Sequence, residues 1–154
     1  MPGAGFSTIH TARLVFRSDG RWYADEEPIV HERLARLFSR YLRRKPAGGY
    51  EIWIDERYHA DVEVEDTPFV VTAVEADPAG RFSLDLNDGT TEILDPGSLE
   101  VSAHNVLYCR VKNGTERARF LRPAYYQLAH FVDEVGAGRF QLRCGPTTYL
   151  IAQR

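Results

Sequence analysis

Cysteine is scarce in this chain. Cys109 and Cys144 are the whole supply among 154 residues. Two thiols cannot build a disulfide framework or a four-cysteine zinc site, so the composition predicts a reduced, cytoplasmic protein. Long hydrophobic runs are missing too. No stretch nears the ~20 apolar residues that span a bilayer, and no membrane partner is expected. The opening MPGAGFSTIHTAR lacks the basic-then-apolar order of a secretory leader. A positive balance is also absent. The formal net charge is −3, so any attraction to anions must come from a local patch, and duplex DNA is not an expected partner.

The common catalytic signatures are absent as well. The chain contains no GxxxxGK[ST] or GxGxxG phosphate loop, no HExxH and no GxSxG. Nothing beside Cys109 or Cys144 marks a nucleophile with a lowered pKa. The sequence therefore predicts no catalytic residue, no cofactor and no metal site, and favours a non-catalytic module.

What is present alternates between strand and turn. Leu14 to Arg17 and Arg21 to Tyr23 flank the turn Ser18-Asp19-Gly20. A helix is expected after Pro28, with Leu34, Leu37, Phe38, Tyr41 and Leu42 at helical spacing. Its other side carries Arg33, Arg36, Arg40, Arg43 and Arg44, and Lys45-Pro46-Ala47-Gly48-Gly49 ends it. Strands follow over Tyr50 to Ile54, His59 to Glu65, Phe69 to Val74, Arg81 to Leu86, Thr91 to Leu94 and Leu99 to Ser102. Turns such as Asp77-Pro78-Ala79-Gly80 and Asn87-Asp88-Gly89 separate them. A second helix begins at Arg122-Pro123. It is expected to bury Tyr125, Leu128, Ala129 and Val132, and to end at Gly136-Ala137-Gly138. The order strand, Asx-Gly turn, strand, Pro, helix, Gly-rich stop, strand occurs in both halves, which suggests internal duplication.

The stretch LYCRVKNGTERARF, Leu107 to Phe120, is the most informative. Asn113-Gly114 favours a two-residue hairpin turn because both central residues need positive φ. Closing that hairpin sets Tyr108 opposite Arg119, Arg110 opposite Arg117 and Lys112 opposite Thr115. One face then holds Arg110, Lys112, Arg117 and Arg119 beside Tyr108, although like charges opposite one another on a sheet repel. Three destinations are open to these cations: water, the acidic strand face of His59, Asp61, Glu63 and Glu65, or an external anion. Arginine suits the last because its planar fork matches phosphate oxygens.

Several stretches resemble a known family. They are Asp19-Gly20-Arg21-Trp22-Tyr23 with Pro28-Ile29 and Leu34 to Leu42; Val64-Glu65-Asp66-Thr67-Pro68-Phe69-Val70; and Leu107-Tyr108-Cys109-Arg110-Val111 with Asn113-Gly114, Arg117-Ala118-Arg119 and Ala124-Tyr125-Tyr126-x-Leu128. Their order and spacing, from about Arg13 to Val132, resemble the bacterial domain-of-unknown-function family numbered 1285. The resemblance implies two small α+β units built by duplication, the second a pleckstrin-homology-like barrel closed by a helix. It implies no established activity. It also implies a ligand at the interface of the units, nucleotide-like or a nucleic-acid fragment, and a role in signalling. Two segments depart from the family pattern: Trp53-Ile54-Asp55-Glu56 and Arg143-Cys144-Gly145-Pro146.

The expected fold class is thus α+β, with units 1–65 and 66–154. The expected function is a non-catalytic sensory or regulatory module binding a phosphate-bearing ligand between the two units through Arg110, Arg117, Arg119 and Lys112, with Tyr108 or Trp22 against an aromatic base. The alternatives are a module that binds an acidic protein partner, and a hydrolase using Asp61, Glu63 and Glu65 with a divalent ion.

Overall fold

A computed structural model describes residues 12–154. The opening segment read as lacking a secretory leader lies, up to Thr11, outside the described residues. Strands dominate and two helices accompany them, an α+β composition. The chain divides into two compact units, one ending at Pro68 and one running from Phe69 to Arg154. No helix among the described residues is long and apolar enough to cross a membrane.

The first unit contains β1 (Leu14–Phe16), β2 (Trp22–Ala24), β3 (Glu27–Pro28), α1 (Glu32–Arg40), β4 (Leu42–Arg44), β5 (Tyr50–Trp53) and β6 (His59–Val64). Its strands form one six-stranded sheet in the order β3-β2-β1-β6-β5-β4. Only the β1–β6 contact is parallel. Helix α1 is shorter than its apolar spacing predicted. It starts at Glu32, where the His31 ring accepts from the Leu34 N–H, and ends at Arg40. Pro28 lies in β3 instead of opening the helix. Leu42, Arg43 and Arg44 pair with Ile52, Glu51 and Tyr50. The hairpin closes through Gly48 and Gly49, both at positive φ. Leu42 is buried there, so its apolar side chain serves a strand as well as it would have served another helical turn.

The second unit contains β7 (Phe69–Ala76), β8 (Phe82–Leu86), β9 (Thr91–Ile93), a 3-10 turn at Pro96–Ser98, β10 (Glu100–Val101), β11 (Leu107–Val111), β12 (Glu116–Phe120), α2 (Arg122–Ala129), β13 (Val132–Gly136), β14 (Arg139–Cys144), β15 (Thr147–Leu150) and β16 (Ala152–Gln153). Seven strands form a sheet in the order β16-β10-β11-β12-β7-β8-β9, and β13-β14-β15 form a separate meander. The larger sheet is open, with β16 and β9 at its edges, so the expected barrel does not close. Hairpin, helix and three-stranded meander follow one another in each unit, the element order from which duplication was expected. The pairing differs. β6 joins β1 in parallel, whereas β12 joins β7 in parallel and β15 pairs with β14 alone.

Helix α2 packs on β7. The Val74 N–H donates to the Gln127 side chain and the Leu121 N–H to the Val71 carbonyl. Ala124 and Leu128 are its buried residues. Ala129 is exposed, and Val132 belongs to β13, where it pairs with Leu142. The core face of the hairpin, with Leu107, Cys109, Val111, Ala118 and Phe120, joins Phe82, Leu84, Leu128 and Leu142 in one cluster. Truncating a fully buried Leu or Phe here should cost about 3 kcal/mol or more. The meander reaches this core because Gly80, at φ +85, sits against Gly145, where a Cβ would collide with backbone.

Candidate functional site

The hairpin forms in the expected register, with Tyr108 opposite Arg119 and Arg110 opposite Arg117. Asn113 (φ 57) and Gly114 (φ 78) take the two left-handed turn positions, and the Thr115 N–H donates to the Lys112 carbonyl at 3.1 Å. Lys112 departs from expectation. It too is left-handed, at φ 55, and the ladder ends at Val111–Glu116. Its N–H donates to the Glu92 carboxylate. Its ammonium donates to Asp88 at 2.7 Å and to the Thr90 hydroxyl at 3.0 Å, and sits 5.0 Å from the Phe69 ring centre. Asp88 is buried. Burial opposes its ionisation, but the hydrogen bonds from Lys112 and Thr90 prevail and hold its pKa below the ordinary value.

Arg117 is similarly committed. Its guanidinium donates to Glu100 at 2.7 Å and lies 4.4 Å over the Tyr108 ring. Arg154 also lies over that ring, at 5.6 Å. Tyr108 is 6% exposed, so the face assigned to an aromatic base is covered by two guanidinium groups. The internal anions that meet Lys112 and Arg117 are therefore Asp88, Glu92 and Glu100. The acidic strand is satisfied in its own unit. Glu63 pairs with Arg13, Asp61 with Lys45, and Glu65 accepts from the Ser18 N–H. Among the described residues no cluster of three or more metal-ligating side chains occurs.

Trp22 lies in the core of the first unit, 1% exposed. Its ring packs at 5.1 Å from Phe16 and 5.4 Å from Phe38, and its N–H donates to the Ser39 hydroxyl at 2.9 Å. It has no face to offer a base. Cys109 is buried, and burial followed by Glu92 and Asp95 pushes its thiol up to about 12. That leaves almost no thiolate near neutral pH.

The remaining cations line two different cavities of the second unit. Arg110 is exposed, and its backbone N–H donates to the Ser98 hydroxyl. With Lys112 it lines a cavity of about 530 Å³ that also holds Glu92 and Asp95. Two cations and two carboxylates balance there. Arg119 lines a cavity of about 390 Å³ with Arg122, His104, Asn105, Tyr125 and Tyr126. No carboxylate lines that cavity. Arg122 opens α2 and forms no ion pair among the described residues. The sequence singled out Arg119 but missed Arg122 and His104. Arg122-Pro123 reads as a helix entry, and His104-Asn105 reads as an ordinary loop.

Two solved structures resemble this chain. One is a DUF1285 family protein from Silicibacter pomeroyi DSS-3, 21% identical, with a TM-score of 0.70 over 92% of this chain and 80% of that one. The other is a DUF1285 family protein from Shewanella baltica OS155, 19% identical, with a TM-score of 0.61 over 79% of this chain and 93% of that one. This chain has the DUF1285 fold. The family resemblance seen in its motifs is thereby supported across most of its length. No family model and no curated protein matches it. The DUF1285 name states no activity, so function has to be argued from the site.

Proposed function

We propose that this DUF1285-like chain is a non-catalytic ligand-binding module whose second unit takes a phosphate-bearing ligand, nucleotide-like or otherwise, in a regulatory or signalling role. One observation carries the proposal: Arg122 and His104, together with Arg119, line a single cavity whose lining includes no carboxylate. Charge-assisted bonds from guanidinium to phosphate oxygens are shorter and stronger than neutral ones. Tyr125 and Tyr126, their rings edge-to-face at 5.6 Å, line the same cavity and offer aromatic surface to a base.

Calorimetric titration with inorganic phosphate and with AMP tests this. Saturable binding that weakens with added salt is expected. Arg119→Ala with Arg122→Ala should weaken it by at least about tenfold. Affinity unchanged in that double variant would refute the site.

A second proposal rests on α1, where Arg33, Arg36 and Arg40 are all exposed and form no ion pair among the described residues. That face would suit an acidic protein partner. Such a partner, retained without phosphate ligand and lost on Arg33→Glu with Arg36→Glu, would favour this second function.

A further inference from the structure

Among the described residues, β3 and β4, β16 and β9, and β13 and β15 form the edges of the three sheets. A sheet edge offers unpaired N–H and C=O groups to any passing strand, and proteins blunt such edges with charge, proline, bulges or shortness. Every edge here but one carries such a device. β3 is Glu27–Pro28, β4 holds Arg43 and Arg44, and β9 holds Glu92. β13 holds Asp133 and Glu134, and its register shifts after Glu134. β16 is only two residues long. β15 has none of these. Its Thr147-Thr148-Tyr149-Leu150 contains no charge and no proline, and it pairs with β14 without a register shift. All four residues are exposed, Leu150 at 55%. The turn at Pro96–Ser98 comes near β15, yet among the described residues β14 is its only backbone hydrogen-bonding partner. Threonine and tyrosine favour extended backbone, so the strand is ready for a second neighbour.

We infer that β15 is a self-association edge: a second copy of this chain pairs with it, antiparallel and about a two-fold axis, so that two meanders join into one continuous sheet. Charge favours a second copy. An uncharged strand set against itself brings no like charges together. The nearest charges on the outer face of the meander, Arg143 and Asp133, already pair with each other at 2.7 Å. Symmetry favours it too. Two-fold pairing uses both copies of the edge and closes, whereas head-to-tail addition leaves an edge open for further chains. The joined sheet also gathers apolar surface. Tyr149 lies opposite Leu142, and Phe140, two residues along β14, shares that face. Both rings are exposed in the single chain. This interface is independent of the phosphate site proposed above.

Sedimentation equilibrium of the full chain over a dilution series, without phosphate ligand, tests this. Twice the mass of one chain is expected at high concentration, with dissociation on dilution. Hydrogen exchange of the β15 amides should slow in the dimer. Thr148→Lys with Leu150→Lys places cations on exposed alternate positions of the strand, where the core is untouched. It should weaken association by at least about tenfold and leave the far-ultraviolet circular dichroism of the chain unchanged. Thr148→Glu with Leu150→Glu should do the same. Mixing the two oppositely charged variants should restore a dimer, which a misfolded strand could not do. A dimer that neither variant weakens lies on another surface and overturns the inference, as does a mixture that fails to associate. A chain that stays monomeric from micromolar to millimolar concentration also overturns it. Protection of β15 in such a monomer by an added extended peptide would give the edge to a different protein.

Discussion

At the turn end of the β11–β12 hairpin, Lys112 meets a buried carboxylate at 2.7 Å, and Arg117 along the same face meets Glu100 at 2.7 Å. At the other end, Arg119, Arg122 and His104 line a cavity whose lining includes no acid. The residue types are the same, and the strand is the same. What differs is the neighbouring element. Asp88, Glu92 and Glu100, from the β8–β9 turn, β9 and β10, face the former, whereas the α2 entry and the loop before β11 face the latter. A row of cations on one sheet face therefore does not define an anion site. The candidate site is the cavity whose lining carries cations and no carboxylate.

Stability measurements can break this comparison. The largest effect is expected at the turn end. Lys112→Met removes the main partner of a nearly buried carboxylate and should cost about 2 kcal/mol in chemical denaturation, less than a fully buried pair because the lysine stays partly exposed. Arg117→Ala, at a half-buried pair with a ring contact, should cost about 1 kcal/mol. Arg122→Ala should change stability by no more than about 0.5 kcal/mol. If Arg122→Ala proves as costly as Lys112→Met, the distinction between structural and available cations fails.

Acid sharpens the same contrast. The Asp88 pKa is lowered in the folded state from an ordinary value of 3.8. Its contribution to stability is therefore fully present above that value and lost as pH falls through the lower folded one. The stability gap between the parent chain and Lys112→Met should be full at about pH 5 and should shrink below about pH 4. A gap independent of pH would show that Asp88 is not the partner that matters.

Much of this architecture was legible in the residues. The Asn113-Gly114 hairpin, its register and its core face follow from turn chemistry and alternation. The ends of both helices did not follow. Leu42 and Val132 fall at helical spacing, yet each lies on a strand whose pairing is set by a distant partner, Ile52 and Leu142. Long-range pairing decides such ambiguous apolar residues. The site was half legible for the same reason. Alternation placed four cations on one hairpin face, but only the fold shows that Asp88 and Glu100 reach two of them. Arg122 and His104 belong to segments with no periodic signal, so nothing local tied them to Arg119.

The most direct test of the account is the affinity of AMP for Arg122→Ala set beside its affinity for Arg117→Ala, measured at one salt concentration. The account predicts a loss of about tenfold or more in the first and no change in the second. The opposite order, with Arg117→Ala abolishing binding and Arg122→Ala leaving it intact, would contradict it.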